Sequence, residues 1–256
     1  MRFRPLLAVV TIVVAACSGT GGDAPTGIHL QGSYRDGSGV EMRYLVWLPD
    51  GYGDDRQALH PMIVFLHGSG SETYDSEFVI GMGLPAVLAS GDQPADFDFV
   101  VISPQAAPGS SWGMGDQLDV VDHLVAEAAD TYLVDPKRVY LTGLSMGGYA
   151  AWHLATRHPD RYAAMVSVSG SGYQLQTLPP ADYSCRLTAV PVWGIHGEQD
   201  LIAAYDPVHA QVEAWEDLCG TGVEWTSYQD AGHIETIERA YRDPALYHWM
   251  TEQANS

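Results

Sequence analysis

The chain has 256 residues, 46% of them hydrophobic and 17% charged, with 12 Lys+Arg against 32 Asp+Glu and a formal net charge of −20. That length carries one large domain with a sizeable core, and the composition excludes a disordered chain. The acidic balance weighs against nucleic acid and anionic membrane surfaces as partners, because both are held by cationic patches.

The N-terminus reads as an export signal. Two arginines precede an apolar run from Leu6 to Ala16, shorter than the roughly 20 residues a spanning helix needs. Val14-Ala15-Ala16-Cys17 resembles a bacterial lipobox, in which the signal is cut before the cysteine and that cysteine carries lipid. The expected organisation is a lipoprotein-type signal over 1–16, a Gly/Ser-rich tether over 17–27 with Cys17 lipidated, and one domain over 28–256. The protein is then exported, anchored at the cell envelope by lipid or otherwise secreted. Cys185 and Cys219 remain, an even pair in an oxidising compartment, and are expected to bridge. Closing that loop stabilises by about 4 kcal/mol in the chain-entropy model.

Past the tether, Val40–Gly53 alternates like a strand ending in a Pro-Asp-Gly turn. Pro61–Gly70 ("PMIVFLHGSG") is a continuous apolar run into a glycine-rich turn, as in a strand buried on both faces, and Phe97–Gln105 repeats the pattern. Residues 117–132 place apolar side chains at helical spacing. "RVYLTG" reads as a strand, "MGGYAAWHLATRHP" as a helix stopped at Pro159, and "YAAMVSVSG" as a strand. "VPVWGIHGEQD" reads as strand then loop, and a helix follows near Val208–Cys219. "VEWTSYQDAGH" is strand then loop, with a last helix over Pro244–Gln253. Strands alternating with helices predict a mostly parallel sheet covered on both faces. Ligands then bind beyond the carboxyl ends of the strands. There the sequence puts His67-Gly68-Ser69-Gly70, Ser145, the stretch from His196 to Asp200, and His233.

Gly-x-Ser-x-Gly occurs twice, at Gly109–Gly113 and Gly143–Gly147. Ser111 follows a Pro-rich loop with no helix behind it. Ser145 follows a strand directly and opens a helix, the setting of a nucleophile elbow. A serine hydroxyl needs a base, and the base an orienting acid, in the chain order Ser, Asp/Glu, His. His153 and His158 lie on the helix after the elbow, His209 and His248 on other helices, and His196 beside the acid candidates. His233, in a loop after the last strand, is the expected base. Asp200 is the favoured acid, with Glu198 in reserve. Asp230 and Glu235 are too close to His233 in sequence to reach its Nδ1 side. The oxyanion of acyl transfer needs two N–H donors, expected from Met146 and from Ser69, with His67 structural.

Taken together, "FLHGSG", "VVISPQ", "YLVDPKRVYLTGLSMGGYAAWHLATRHPDRYAAMVSVSG", "VPVWGIHGEQD" and "GHIETIERAYRDPALYHWM" resemble an α/β-hydrolase. More narrowly, they resemble the bacterial carboxylesterases grouped with feruloyl esterases, polyhydroxybutyrate depolymerases and phospholipase/carboxylesterase proteins. The resemblance implies Ser145 as nucleophile, Asp200 as acid, His233 as base, and no metal or organic cofactor. It implies a serine esterase acting on small acyl, feruloyl or aryl, or hydroxyalkanoate-like esters, free or linked to polysaccharide. Such proteins often carry an aromatic two residues after the base, where Glu235 stands here. Trp112 and Tyr173 are expected as walls for an acyl or aromatic group, and Ser171–Cys185 as a segment shaping specificity. Two rival readings use the same elbow. A prolyl-oligopeptidase-like peptidase would bring a large N-terminal domain, whereas only a short stretch precedes Val40. A non-catalytic binding protein on a hydrolase scaffold would have lost one of the catalytic groups.

Overall fold

A computed structural model describes residues 26–255 except 38, 74, 114–115 and 174–177. The signal over 1–16, Cys17 and most of the tether lie outside the described residues. Eight strands form one sheet among the described residues: β1 (His29–Arg35), β2 (Glu41–Trp47), β3 (His60–Leu66), β4 (Val100–Gln105), β5 (Val134–Leu144), β6 (Ala164–Val168), β7 (Val192–Gly197) and β8 (Glu224–Tyr228). Their order is β1-β2-β4-β3-β5-β6-β7-β8. The first two are antiparallel to their neighbours, and β3 to β8 run parallel. The helices are α1 (Glu77–Ile80), α2 (Leu84–Ser90), α3 (Gln117–Thr131), α4 (Met146–Arg157), α5 (Ala181–Ser184), α6 (Tyr205–Cys219), α7 (His233–Arg242) and α8 (Pro244–Thr251).

The period of two in a strand divides the core. In β3, Met62, Val64 and Leu66 face the layer that holds α3, α4 and Trp215 of α6, while Ile63 and Phe65 face α2, α7 and α8. All seven residues of β3 are buried, so a side chain that is wrong for one face has no solvent side to turn to. This is the sheet, sandwiched between helices, that the alternation of elements predicts.

The structure differs from the reading of the sequence in three respects. β1 is an edge strand whose partial burial leaves little alternation to see. The short α1 and α2 fill the β3–β4 connection. The third difference concerns His233, which is not in a loop: it is the first residue of α7, behind Gly232. The helix forms because Thr236, Ile237, Ala240 and Tyr241 recur at helical spacing and are buried. Cys185 and Cys219 are bonded, tying a short 3-10 turn (Cys185–Ala189) to the end of α6.

The sheet also fixes where a site can form. The chain leaves β3 toward β4 on one side, then crosses back to β5 on the other, so β3 and β5 flank the point where strand order reverses. Crevices open at such points beyond the carboxyl ends of the strands. Pairing of Leu66 with Gly143 brings the turn after β3 against the turn after β5.

Candidate active site

Ser145 sits between β5 and α4 with φ 52° and ψ −120°. A side chain at positive φ is uncommon outside glycine and marks a backbone held by its surroundings. Those surroundings are backbone. A Cβ on Gly147 would lie 2.0 Å from the Leu66 carbonyl oxygen, and one on Gly143 would lie 2.2 Å from the Gly147 carbonyl oxygen. Both contacts are impossible for any other residue, so the two glycines let the elbow press against the end of β3. Met146 and Gly147 open α4, where N–H groups have no intrahelical acceptor.

A second strained serine lies beneath the first. Ser169, after β6, has φ 52° and is fully buried. Its Oγ is 3.4 Å from the carbonyl oxygen of His233, to which it donates. A Cβ on its neighbour Gly170 would lie 2.1 Å from the carbonyl oxygen of Ser145. The turn after β6 thus touches both the Ser145 backbone and the start of α7. Reading the sequence missed this role, although "SVSGSG" carried a signal: small residues run on past a strand end.

Asp200 follows β7 and is buried. Its Oδ1 accepts from the N–H groups of Ile202 and Ala203, each at 2.8 Å, an Asx turn closed on its own loop. Its Oδ2 lies 2.6 Å from His233 Nδ1. The two loops are stitched together: Glu198 N–H donates to the Tyr228 carbonyl and Gln199 N–H to the Ala231 carbonyl. Glu198 itself is exposed, Asp230 pairs with Arg239, and Glu235 lies in solvent. Of the acids weighed from sequence, Asp200 alone meets the imidazole.

The turn after β3 is anchored by side chains. His67 is buried; its Nδ1 donates to the Gly68 carbonyl and its Nε2 accepts from the Ala106 N–H. Burial pushes its protonation below the ordinary imidazole range, so it stays neutral with one hydrogen, as these two partners require. The Trp112 indole N–H donates to the His67 carbonyl at 2.9 Å. Gln105 donates to the carbonyls of Ser71 and Asp75. Ser69, at the tip, is exposed, on a stretch held from three directions.

Trp112 and Tyr173, expected as walls, are instead packed inside. Trp112 is 2% exposed and spends its N–H on the turn after β3. Tyr173 is 1% exposed, shares a hydrogen bond with Thr156 and sits edge-on to Trp152. Three large hydrophobic side chains in the segments that carry the site are exposed: Leu201 (95%), Ile202 (73%) and Ile234 (41%). They directly follow Asp200 and His233. Among the described residues no cluster of three or more His, Cys, Asp or Glu side chains could hold a metal ion. No helix among them is long and apolar enough to cross a membrane.

An elbow serine, an imidazole held by a buried carboxylate, and an anchored turn after β3 are assembled along one sheet edge. Residues 78–240 match the model of the phospholipase/carboxylesterase family. The chain belongs to the phospholipase/carboxylesterase family. Among relatives, NocK of Nocardia uniformis subsp. tsuyamanensis, named as an esterase, is 33% identical over 150 residues, 57% of this chain and 42% of its own. A bifunctional acetylxylan esterase/xylanase of Neocallimastix patriciarum is 29% identical over 122 residues, 46% of this chain and 17% of its own. This phospholipase/carboxylesterase family member thus covers less than half the length of either relative. Among solved structures, a thermostable esterase superposes with a TM-score of 0.70 at 24% identity, over 88% of this chain and 63% of that one. A feruloyl esterase module from Clostridium thermocellum superposes with a TM-score of 0.65 at 17% identity, over 86% and 87%. At these identities the likeness establishes the fold, an α/β-hydrolase.

Proposed function

We propose that this protein is an exported serine esterase that hydrolyses carboxylic esters through an acyl-enzyme on Ser145. The observation that carries the reading is the 2.6 Å contact between His233 Nδ1 and Asp200 Oδ2, at the sheet edge where the strained Ser145 turn emerges. In this reading His233 Nε2 takes the proton from the Ser145 hydroxyl as it attacks the ester carbonyl. The Asp200 carboxylate fixes the ring tautomer and balances the imidazolium that forms. N–H groups of Met146 and Ser69 receive the oxyanion. His233 then protonates the leaving alcohol, and a water molecule, activated by the same ring, releases the acid.

For substrate class, the exposed Leu201, Ile202 and Ile234 after Asp200 and His233 favour an apolar acyl or aryl group over a charged one. The relatives named for acetylxylan and poly(3-hydroxyalkanoate) esters keep acetyl, feruloyl and hydroxyalkanoate esters in view, free or polysaccharide-linked. Export is supported by the bonded Cys185–Cys219 pair and the signal-like N-terminus, and lipid anchoring by the lipobox-like Cys17. The test is labelling with a fluorophosphonate probe together with turnover of p-nitrophenyl acetate. The wild type should label at Ser145 and turn over, and Ser145→Ala should lose both with an unchanged circular dichroism spectrum. Absence of labelling would leave the binding-protein reading standing.

A further inference from the structure

His196 is a buried histidine that the chemistry above leaves unused. It lies in β7 and is fully buried, as is the Asp200 side chain. Its Nε2 is 2.7 Å from the Ala203 carbonyl oxygen and 3.3 Å from Asp200 Oδ2. A carbonyl oxygen only accepts, so Nε2 carries the hydrogen. Nδ1 then holds a lone pair, and it is buried without a hydrogen-bond partner among the described residues. The ring lies parallel to the Trp225 indole at 6.2 Å, with an interplanar angle of 10°. Burial pushes its protonation below the ordinary imidazole range, against the opposing pull of the Ala203 carbonyl and Asp200. A second proton would have to sit on Nδ1, which has no acceptor. The ring is therefore neutral.

A neutral donor at this point has a specific effect. Oδ1 of Asp200 is held by two backbone N–H groups, one of them from Ala203. The His196 N–H grips the carbonyl of that same residue and flanks Oδ2. His196 thus holds by its carbonyl the residue whose N–H holds Oδ1, with the ring edge 3.3 Å from Oδ2. A cation in the same place would form an ion pair with Asp200 and compete for the counter-charge that a protonated His233 needs.

We propose that His196 is a positioning residue, whose neutral Nε2–H holds the Ala203 carbonyl and, through the Ala203 N–H on Oδ1, keeps the Asp200 carboxylate in the plane that aims Oδ2 at His233 Nδ1. Its kinetic consequence rests on the esterase reading above; the contact itself does not. The titratable groups facing this cluster are Asp200 from the turn after β7, His233 from the start of α7, Tyr205 of α6 against the ring, and Tyr149 of α4 toward Asp200. His209 lies one ring further out, stacked on Tyr205. Of these groups, His233 alone is seen to donate to Oδ2.

The test compares His196→Phe, which keeps a ring against Trp225 but has no N–H, with His196→Gln, whose amide can reach the same oxygens. Two readouts are taken: kcat and KM for p-nitrophenyl acetate across pH, and the low-field proton NMR resonance of the His233 Nδ1–H, which needs no turnover. For His196→Phe we expect kcat to fall about tenfold, the upper scale of one lost hydrogen bond, with KM within about twofold. The acidic limb of the pH–kcat profile moves to higher pH, because a less satisfied carboxylate holds the imidazolium proton more tightly. The resonance shifts with it, and His196→Gln restores both. A folded His196→Phe protein with wild-type kcat, limb and resonance overturns the proposal, whatever its melting temperature. Should Phe prevent folding, His196→Asn, too short to reach either oxygen, takes its place, and identical behaviour of Asn and Gln overturns the proposal. If the wild type shows no esterase activity, the functional reading fails, while the resonance comparison still decides this one.

Discussion

Replacing Asp200 by Asn changes one atom's chemistry and almost no volume, so its outcome follows from hydrogen-bond geometry. The amide oxygen can occupy the Oδ1 position, keeping the N–H groups of Ile202 and Ala203 at 2.8 Å and turning the NH2 toward His233. The reverse orientation sets the NH2 against those two donors and leaves both unsatisfied, at about 1–3 kcal/mol each. The His196 N–H at 3.3 Å from Oδ2 opposes the first orientation, but one longer contact does not outweigh two short ones. With an NH2 facing Nδ1, the imidazole must accept there and carry its hydrogen on Nε2, the atom required to take the Ser145 proton. A wrong tautomer of this kind costs on the order of 10⁴ in kcat, or about 5.5 kcal/mol of transition-state stabilisation. The assay is kcat for p-nitrophenyl acetate, with near-ultraviolet circular dichroism to show the fold is kept. Asp200→Asn retaining more than about a tenth of wild-type kcat would refute the assignment of this contact to catalysis.

Trp112→Phe removes the N–H that holds the His67 carbonyl. It should lower unfolding stability by about 1–3 kcal/mol and reduce kcat as the Ser69 turn loosens; urea unfolding and kinetics that both match the wild type would count against the anchoring role. The double change Leu201→Ser with Ile202→Ser should lower kcat/KM for p-nitrophenyl hexanoate by about tenfold while barely affecting the acetate ester. Equal losses on the two esters would remove these side chains from acyl recognition. His29, His67, His153 and His196 are all held below 6.5 by burial. The unfolded chain therefore takes up protons near that pH that the native state declines, so stability is full above it and falls as pH drops through it toward the folded values. Urea midpoints should decline from pH 7.5 to about 5.5, less steeply in His67→Asn; a flat profile would contradict the burial argument.

Features that are local in the chain were legible from its residues alone. Strand, glycine, serine, glycine and helix fall within one short stretch, and the two glycines are required because their neighbours approach to about 2 Å of where a Cβ would sit. The continuous apolar runs of β3 and β4 likewise announced a sheet buried on both faces. Contacts between residues on different strands depended instead on how the chain packs. Asp200 and Glu198 are equivalent in composition and nearly so in position; a two-residue offset turns one onto His233 and the other into solvent. Aromatic residues near a strand end look like pocket walls in sequence, yet Trp112 and Tyr173 are buried because their polar atoms find partners on segments far along the chain. Ser169 acts through the backbone carbonyl of His233, a residue that sequence distance separates from it. Local conformation is set by a residue and its near neighbours, whereas hydrogen-bond satisfaction in a buried site is settled only when distant segments share one low-dielectric space.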